Sequence, residues 1–374
     1  MIRQLVRAVE KETLPVASES IPVAEAFARI ASKRVKAQRH VPSFDISALD
    51  GFACKGSGSR FAVRGVLEPG ERASLKLRAG DALFVPTGAA IPAGTRFAPR
   101  EFVSEEEDLI RVLWTGERLK VWPKGYWLKK GERVADKGER ITPRMMELLA
   151  LAGFETVEVF RKPAVAILST GNELKKGVVP NSNRYLFMGL IARDGGEVMS
   201  ALTASDDEEE IRTLLDRLSG AHLIIATGGT AKGRKDMTLR AFEKAGARVI
   251  LHDLPISPGR TMTFGKKGRT PFFILPGNPR ALRPLYEVFV RACLLKLAGG
   301  REEWRADKAR VSAPFKRDPH MTYLIPATCS GAEPCRVEGI QAEEPDCLLL
   351  VESGTEEIRP GEEVDVLWVH ERFP

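Results

Sequence analysis

Three apolar runs, each ending in a glycine turn, stand out in the hydrophobic pattern. Residues 165–168 (VAIL) lead into Thr170, Gly171, Asn172 and Glu173, and residues 223–226 (LIIA) lead into Gly228 and Gly229. Residues 272–275 (FFIL) lead into Pro276, Gly277, Asn278 and Pro279. Unbroken apolar runs of this length suit strands covered on both faces, hence a parallel sheet whose carboxyl edge lines one crevice, where open α/β sheets bind ligands. The intervening stretches have helical spacing. Ile211, Leu214, Leu215 and Leu218 share one face of a helix over 206–218, with Asp206 and Asp207 as caps and acids crowding its first turn. Further helices are expected over 184–193, over 239–244 and from Pro279 to about 297, with a strand over 248–251. Residues 159–299 therefore read as a central α/β domain.

The flanks have a different period. Leu5 and Val9, then Val23, Phe27 and Ile30, fit two amphipathic helices within the first forty residues, and 143–153 fits another ending at Gly153. Residues 1–44 and 123–158 thus read as a helical and linker domain. Between them, short alternating segments such as Phe61, Val63, Gly65 and Leu75, Leu77 sit among glycine and proline turns, which predicts an inserted β domain over 45–122. From 300 to 374 the β pattern returns, at 323–325, 347–351 and 364–369, as a small barrel-like lobe. The fold class expected is multi-domain α/β plus β, with a mainly parallel central sheet.

Composition narrows the function classes. At 374 residues, with 43% hydrophobic and 29% charged positions, the chain suits a modular globular protein and has no apolar stretch of bilayer length. The N-terminus lacks the apolar core of a signal peptide, so the chain is expected in the cytoplasm. Five scattered cysteines show no metal-site spacing and read as reduced thiols. A formal charge of +7 suits an anionic ligand, and because the basic residues are spread along the chain nucleic acid is an unlikely partner.

Glycine turns at strand ends expose backbone N–H groups that bind oxyanions, and Lys232, Arg234, Lys235 and Arg260 add positive charge. Glu173 and Asp236 in the same loops suit a divalent cation or the amino groups of a ligand. A phosphate-bearing, amine-rich heterocycle with a metal ion meets both demands. The glycine pattern matches neither a dinucleotide fingerprint nor a Walker loop.

The stretches PSFDISALDGFA, PTGAAIP with Glu101, LSTGNEL, PNSNR, ATGGTAKGRKDMT, SPGRTMTFG and LPGNPRAL, in this order, resemble the molybdopterin molybdenumtransferase family, which includes MoeA and the E domain of gephyrin. The resemblance implies a homodimer of four-domain subunits with a shared cleft. It also implies insertion of molybdate into adenylylated molybdopterin, with Mg2+ and release of AMP. On that basis Asp50, Glu173 and Asp236 are the expected catalytic residues, and Glu173 and Asp236 the expected metal ligands. Thr87, Thr170, Gly171, Asn183, Gly228, Gly229, Lys232, Pro258, Gly259, Arg260, Pro276, Gly277, Asn278 and Pro279 are expected to hold the pterin and the oxyanion. Asp50 and Thr87 would enter from the other subunit. Other cofactor-biosynthesis proteins are possible further partners. The chain departs from the family pattern at Arg133, Ser257 and Ala281 and in the cationic loop at Lys232. These departures leave a competing reading, a divergent non-catalytic paralogue that binds a pterin, a nucleotide or a partner protein.

Overall fold

The computed structural model describes residues 1–68, 70, 76–113, 120–228, 237–300, 306–330, 335–340 and 345–369. The chain forms two compact units. One comprises residues 1–19, 28–32 and 159–374, the other residues 20–27 and 33–158.

The first unit is built on a six-stranded sheet of β1 (Ala164–Thr170), β2 (Glu197–Ala204), β3 (Leu223–Thr227), β4 (Ala247–Leu251), β5 (Thr263–Lys267) and β6 (Thr270–Leu275), in the order β2-β1-β3-β6-β5-β4. The four strands from β2 to β6 in that order are parallel, and β5 and β4 continue the sheet antiparallel. The apolar runs follow from this position: Ile167, Ile225 and Phe273 face one hydrophobic core while Leu168, Ala226 and Ile274 face another. Each of the larger side chains here, Ala226 apart, contributes about 1.5–3 kcal/mol when fully covered. Helix Glu208–Arg217 begins where Asp207 accepts a hydrogen bond from Glu210 N, so Asp207 is the cap that the sequence suggests. Ser182–Arg193 starts likewise from the Asn181 side chain.

The long C-terminal helix is interrupted. Pro279–Leu285 and Arg291–Leu297 are α-helical, but Tyr286–Val290 between them is a π-helical turn. Pro284, which has no N–H to donate to the Arg280 carbonyl, lies two residues before it. Beyond this helix, strands Ala306–Val311, Thr322–Ser330, Cys335–Ile340, Cys347–Val351 and Glu363–Trp368 pair in a closed ring, because Thr322–Ser330 bonds to both Cys335–Ile340 and Cys347–Val351.

The second unit holds a six-stranded sheet of Gly51–Cys54, Arg60–Val66, Asp81–Val85, Arg96–Pro99, Val103–Glu106 and Leu109–Val112. Leu77 lies outside these strands, and Leu75 lies outside the described residues.

The sequence overstates the helical content of the first forty residues. Ile2–Glu12 is helical, but the second expected helix is absent: Ser18–Pro22 is extended and Val23–Glu25 is a single 3-10 turn. Pro22 sits at ψ 142°, and Val23 N donates to Glu155 O instead of to a preceding turn. Of the expected helical face Val23 and Ile30, seven residues apart, are buried, whereas Phe27 between them is 61% exposed.

Candidate functional site

The ends of β1, β3 and β6 are level. Ser169 pairs with Thr227, and Thr227 with Leu275, so one row of the sheet carries the last residues before all three glycine turns. The turns then lock together. Thr170 Oγ1 donates to Thr227 O at 3.1 Å and lies 3.3 Å from Thr238 Oγ1, while Gly228 N donates to Leu275 O at 3.2 Å. Only glycine fits at 228: its φ is +95°, and a Cβ there would stand 2.3 Å from Thr170 O.

Above this row lies a cavity of about 600 Å³. Thr170, Gly171, Glu173, Asn183, Gly228 and the turn from Pro276 to Pro279 line it, all of them residues that the sequence singles out. Asn183 Nδ2 donates to Gly277 O at 3.0 Å, bridging the start of helix Ser182–Arg193 to the proline turn. Two helices, Ser182–Arg193 and Pro279–Leu285, open at this cavity through their caps Asn181 and Asn278. Arg184 N and Arg280 N are taken by those two cap side chains, so what the helix starts offer an oxyanion is the positive end of their dipoles.

Acids balance those dipoles. Glu173 stands exposed on the short helix Asn172–Lys175. That helix is held by Lys175, whose Nζ lies 2.6 Å from Glu210 Oε1. Lys175, then the Ser205 hydroxyl and N–H, push the Glu210 carboxyl down to about 2. Asp206 lines the same cavity, and it exchanges backbone bonds with Asn172: Asn172 N donates to Asp206 Oδ2, and Asp206 N to Asn172 Oδ1, each at 3.2 Å. A capping role for Asp206 conceals this placement in the sequence. Either of the two adjacent acids could fill the cap, and the fold gives that place to Asp207. Gly229, Lys232 and Asp236 lie outside the described residues.

A second cavity, of about 960 Å³, shares Asn278 and Pro279 with the first. Pro258 lines it together with Arg280, Arg283, Lys316 and Arg317. The Arg317 guanidinium sits 5.1 Å from the Phe315 ring and 5.5 Å from the Tyr323 ring, which holds a cation in the wall. Lys316 and Arg317 come from the C-terminal barrel and read in the sequence as two more scattered basic residues. Gly259 has φ +123° and packs against Leu285 and Ile256. Arg260 turns to Asp253 at 3.3 Å, both side chains being well exposed. Ser257 and Ala281, two of the departures from the family pattern, line this second cavity.

In the second unit, Asp50 and Thr87 form one group. Thr87 N and Thr87 Oγ1 each donate to Asp50 Oδ1 at 2.8 Å. These two bonds, backbone first, hold the Asp50 carboxyl below its ordinary value, with Arg100 adding to the effect. Glu101 pairs with Lys120 at 3.5 Å. Arg133 is taken up by Asp136 and Glu139, at 3.1 and 3.0 Å.

The profile for a probable molybdopterin binding domain matches residues 166–296, and that for the MoeA N-terminal region (domain I and II) matches residues 2–153. The molybdopterin molybdenumtransferase of Synechococcus elongatus is 30% identical over 312 residues, covering 76% of this chain and 77% of that protein. The molybdopterin molybdenumtransferase of Haemophilus influenzae is 30% identical over 314 residues, covering 79% of this chain and 77% of its own. Among solved structures, a molybdopterin biosynthesis MoeA protein of Pyrococcus horikoshii superposes with a TM-score of 0.82 at 25% identity, over 98% of both chains.

Proposed function

The chain belongs to the MoeA family of molybdopterin molybdenumtransferases, and from that premise we propose that its two adjoining cavities bind adenylylated molybdopterin and molybdate. It acts in molybdenum cofactor biosynthesis as a transferase, inserting molybdate into the dithiolene with release of AMP. The observation that carries this reading is the level row Ser169, Thr227, Leu275, from which three turns and two helix N-termini converge on one cavity.

The roles follow from charge and donor type. The backbone N–H of Gly277 and the positive ends of the two helices suit a phosphate, and Glu173 and Asp206 suit the amino groups of a pterin. Arg280, Lys316 and Arg317 suit molybdate, a tetrahedral dianion, in the cavity that shares Asn278 and Pro279 with the first. That distribution seats the oxyanion beside the pterin cavity and brings the reacting groups together.

A magnesium ion fits this donor set. Mg2+ takes one or two carboxylates and completes its shell with water and substrate phosphate, and Glu173 offers such an oxygen, with Asp236 as its expected companion. The ion would supply charge neutralisation at the adenylate phosphate. Asp50 and Thr87 are assigned to the partner protomer of a homodimer, where the carboxylate, fixed by both Thr87 bonds, orients a donor of the substrate. The reading as a non-catalytic paralogue is not favoured.

The test is direct: mix the purified protein with adenylylated molybdopterin, molybdate and magnesium, and measure AMP release and reconstitution of a molybdenum enzyme. Tight pterin binding with neither AMP release nor active cofactor would overturn the reading.

A further inference from the structure

Two thiols meet in the core of the C-terminal barrel. Cys329 Sγ and Cys347 Sγ are 3.2 Å apart, and both residues are buried among Ala327, Val337, Leu349 and Val366. Cys329 lies on Thr322–Ser330 and Cys347 on Cys347–Val351, the two strands whose pairing closes the ring. The register sets Ala327 opposite Cys347, so Cys329 is its diagonal neighbour. Asp346 fastens the same corner by accepting Cys329 N at 2.8 Å.

We infer that Cys329 and Cys347 form a reversible disulfide that staples the closing seam of the barrel. Nothing in the proposed transferase chemistry uses either sulfur. At 3.2 Å the sulfurs are already inside ordinary non-bonded contact, and a short approach brings them to the bond length of about 2.05 Å. With the Asp346 carboxylate the two sulfurs also form a group within 4.8 Å, so a bound cation is the competing occupant that the experiment must separate from the bridge. The neighbouring Cys329 thiol and burial both push the Cys347 thiol well above its ordinary value, so the closed barrel protects the reduced pair and exchange proceeds through local opening.

The oxidant is a low-molecular-weight disulfide. A thiolate of the pair attacks glutathione disulfide and expels one glutathione thiolate. The second cysteine then displaces the second glutathione, so that one S–S bond forms as another breaks and the two thiol protons pass to the two glutathiones. The bridge has a consequence beyond stability: Tyr323, Leu324, Ile325 and Pro326 on one strapped segment and Pro345 beside the other line the second cavity. Oxidation therefore stiffens that wall.

The full-length protein is equilibrated in glutathione buffers from fully reduced to fully oxidised, approached from both directions, then alkylated and mapped by peptide mass spectrometry. The expected result is a Cys329–Cys347 bridge in the oxidised buffers, an unfolding midpoint raised by a few degrees, reversal by reductant, and no such shift in the Cys329→Ser, Cys347→Ser double variant. Alkylatable Cys329 and Cys347 throughout the series, a mixed disulfide with glutathione, or a bridge to Cys335 would each overturn the inference. So would stoichiometric zinc retention by the reduced chain that is abolished in the double variant.

Discussion

Thr87 gives both its N–H and its hydroxyl to the same oxygen of Asp50, at 2.8 Å each. The carboxylate is thereby fixed in direction although it is exposed. Because the folded value lies below the unfolded one, the pairing contributes fully above the unfolded carboxylate range near 3.9 and is lost as pH falls through the depressed value. Replacing Thr87 by Val removes the hydroxyl bond and keeps the N–H bond. The Asp50 titration, followed by carboxyl carbon NMR, should move upward toward the ordinary value; no movement would show that the hydroxyl contributes nothing.

Gly228→Ala tests the meeting of the turns. The added methyl collides with Thr170 O, a backbone atom that cannot rotate away, at a φ that side chains avoid. A loss of about 2 kcal/mol or more is expected in denaturant unfolding, with pterin binding weakened more than stability accounts for. Wild-type stability in this variant would mean that the turn has slack.

Glu210→Gln addresses the short helix that carries Glu173. In the wild type the pairing with Lys175 is complete above the ordinary value of 4.5 and is lost as pH falls toward about 2. The stability difference between wild type and variant should therefore be constant at neutral pH and shrink below pH 4.5. A difference that stays unchanged on acidification would refute the assignment.

Asp206→Asn separates charge from structure. The amide oxygen can still accept from Asn172 N, so unfolding should change by less than about 0.5 kcal/mol. AMP release should nonetheless fall tenfold or more, a barrier change of about 1.4 kcal/mol. Equal loss in both measurements would assign Asp206 a purely structural part.

Mixing inactive protomers tests the shared cleft. Asp50→Ala and Glu173→Ala chains, each inactive alone, should regain about a quarter of wild-type AMP release after dissociation and statistical reassembly, because the mixed dimer holds one intact site. No recovery, with mixed dimers verified by mass, would place both residues in the cleft of a single protomer.

Strands β1, β3 and β6 were legible because burial on both faces leaves no polar alternation to confuse with anything else, whereas the parallel edge strand β2, half exposed along most of its length, was missed. Residues 21–30 were misread for the opposite reason. Val23, Phe27 and Ile30 fell at helical spacing on a backbone that is extended to Pro22 and then makes one 3-10 turn, and no local signal separates those cases. Asp206 was hidden by its neighbour: two adjacent acids before a helix share one capping explanation, and only the fold shows that Asp207 takes it. Lys316 and Arg317 could not be read at all, since their position beside Pro258 and Arg280 depends on how the barrel packs against the sheet.

The level row Ser169, Thr227, Leu275 carries a consequence for how such a protein can change. A strand advances about 3.3 Å per residue, so deleting one residue from β3 would drop one wall of the cavity by that amount and reverse which side chains face the core. Point substitutions in the turns, Gly228 apart, leave the row untouched. Chemistry at the rim can thus change residue by residue everywhere but at Gly228, while insertions and deletions are tolerated beyond the last ladder bond.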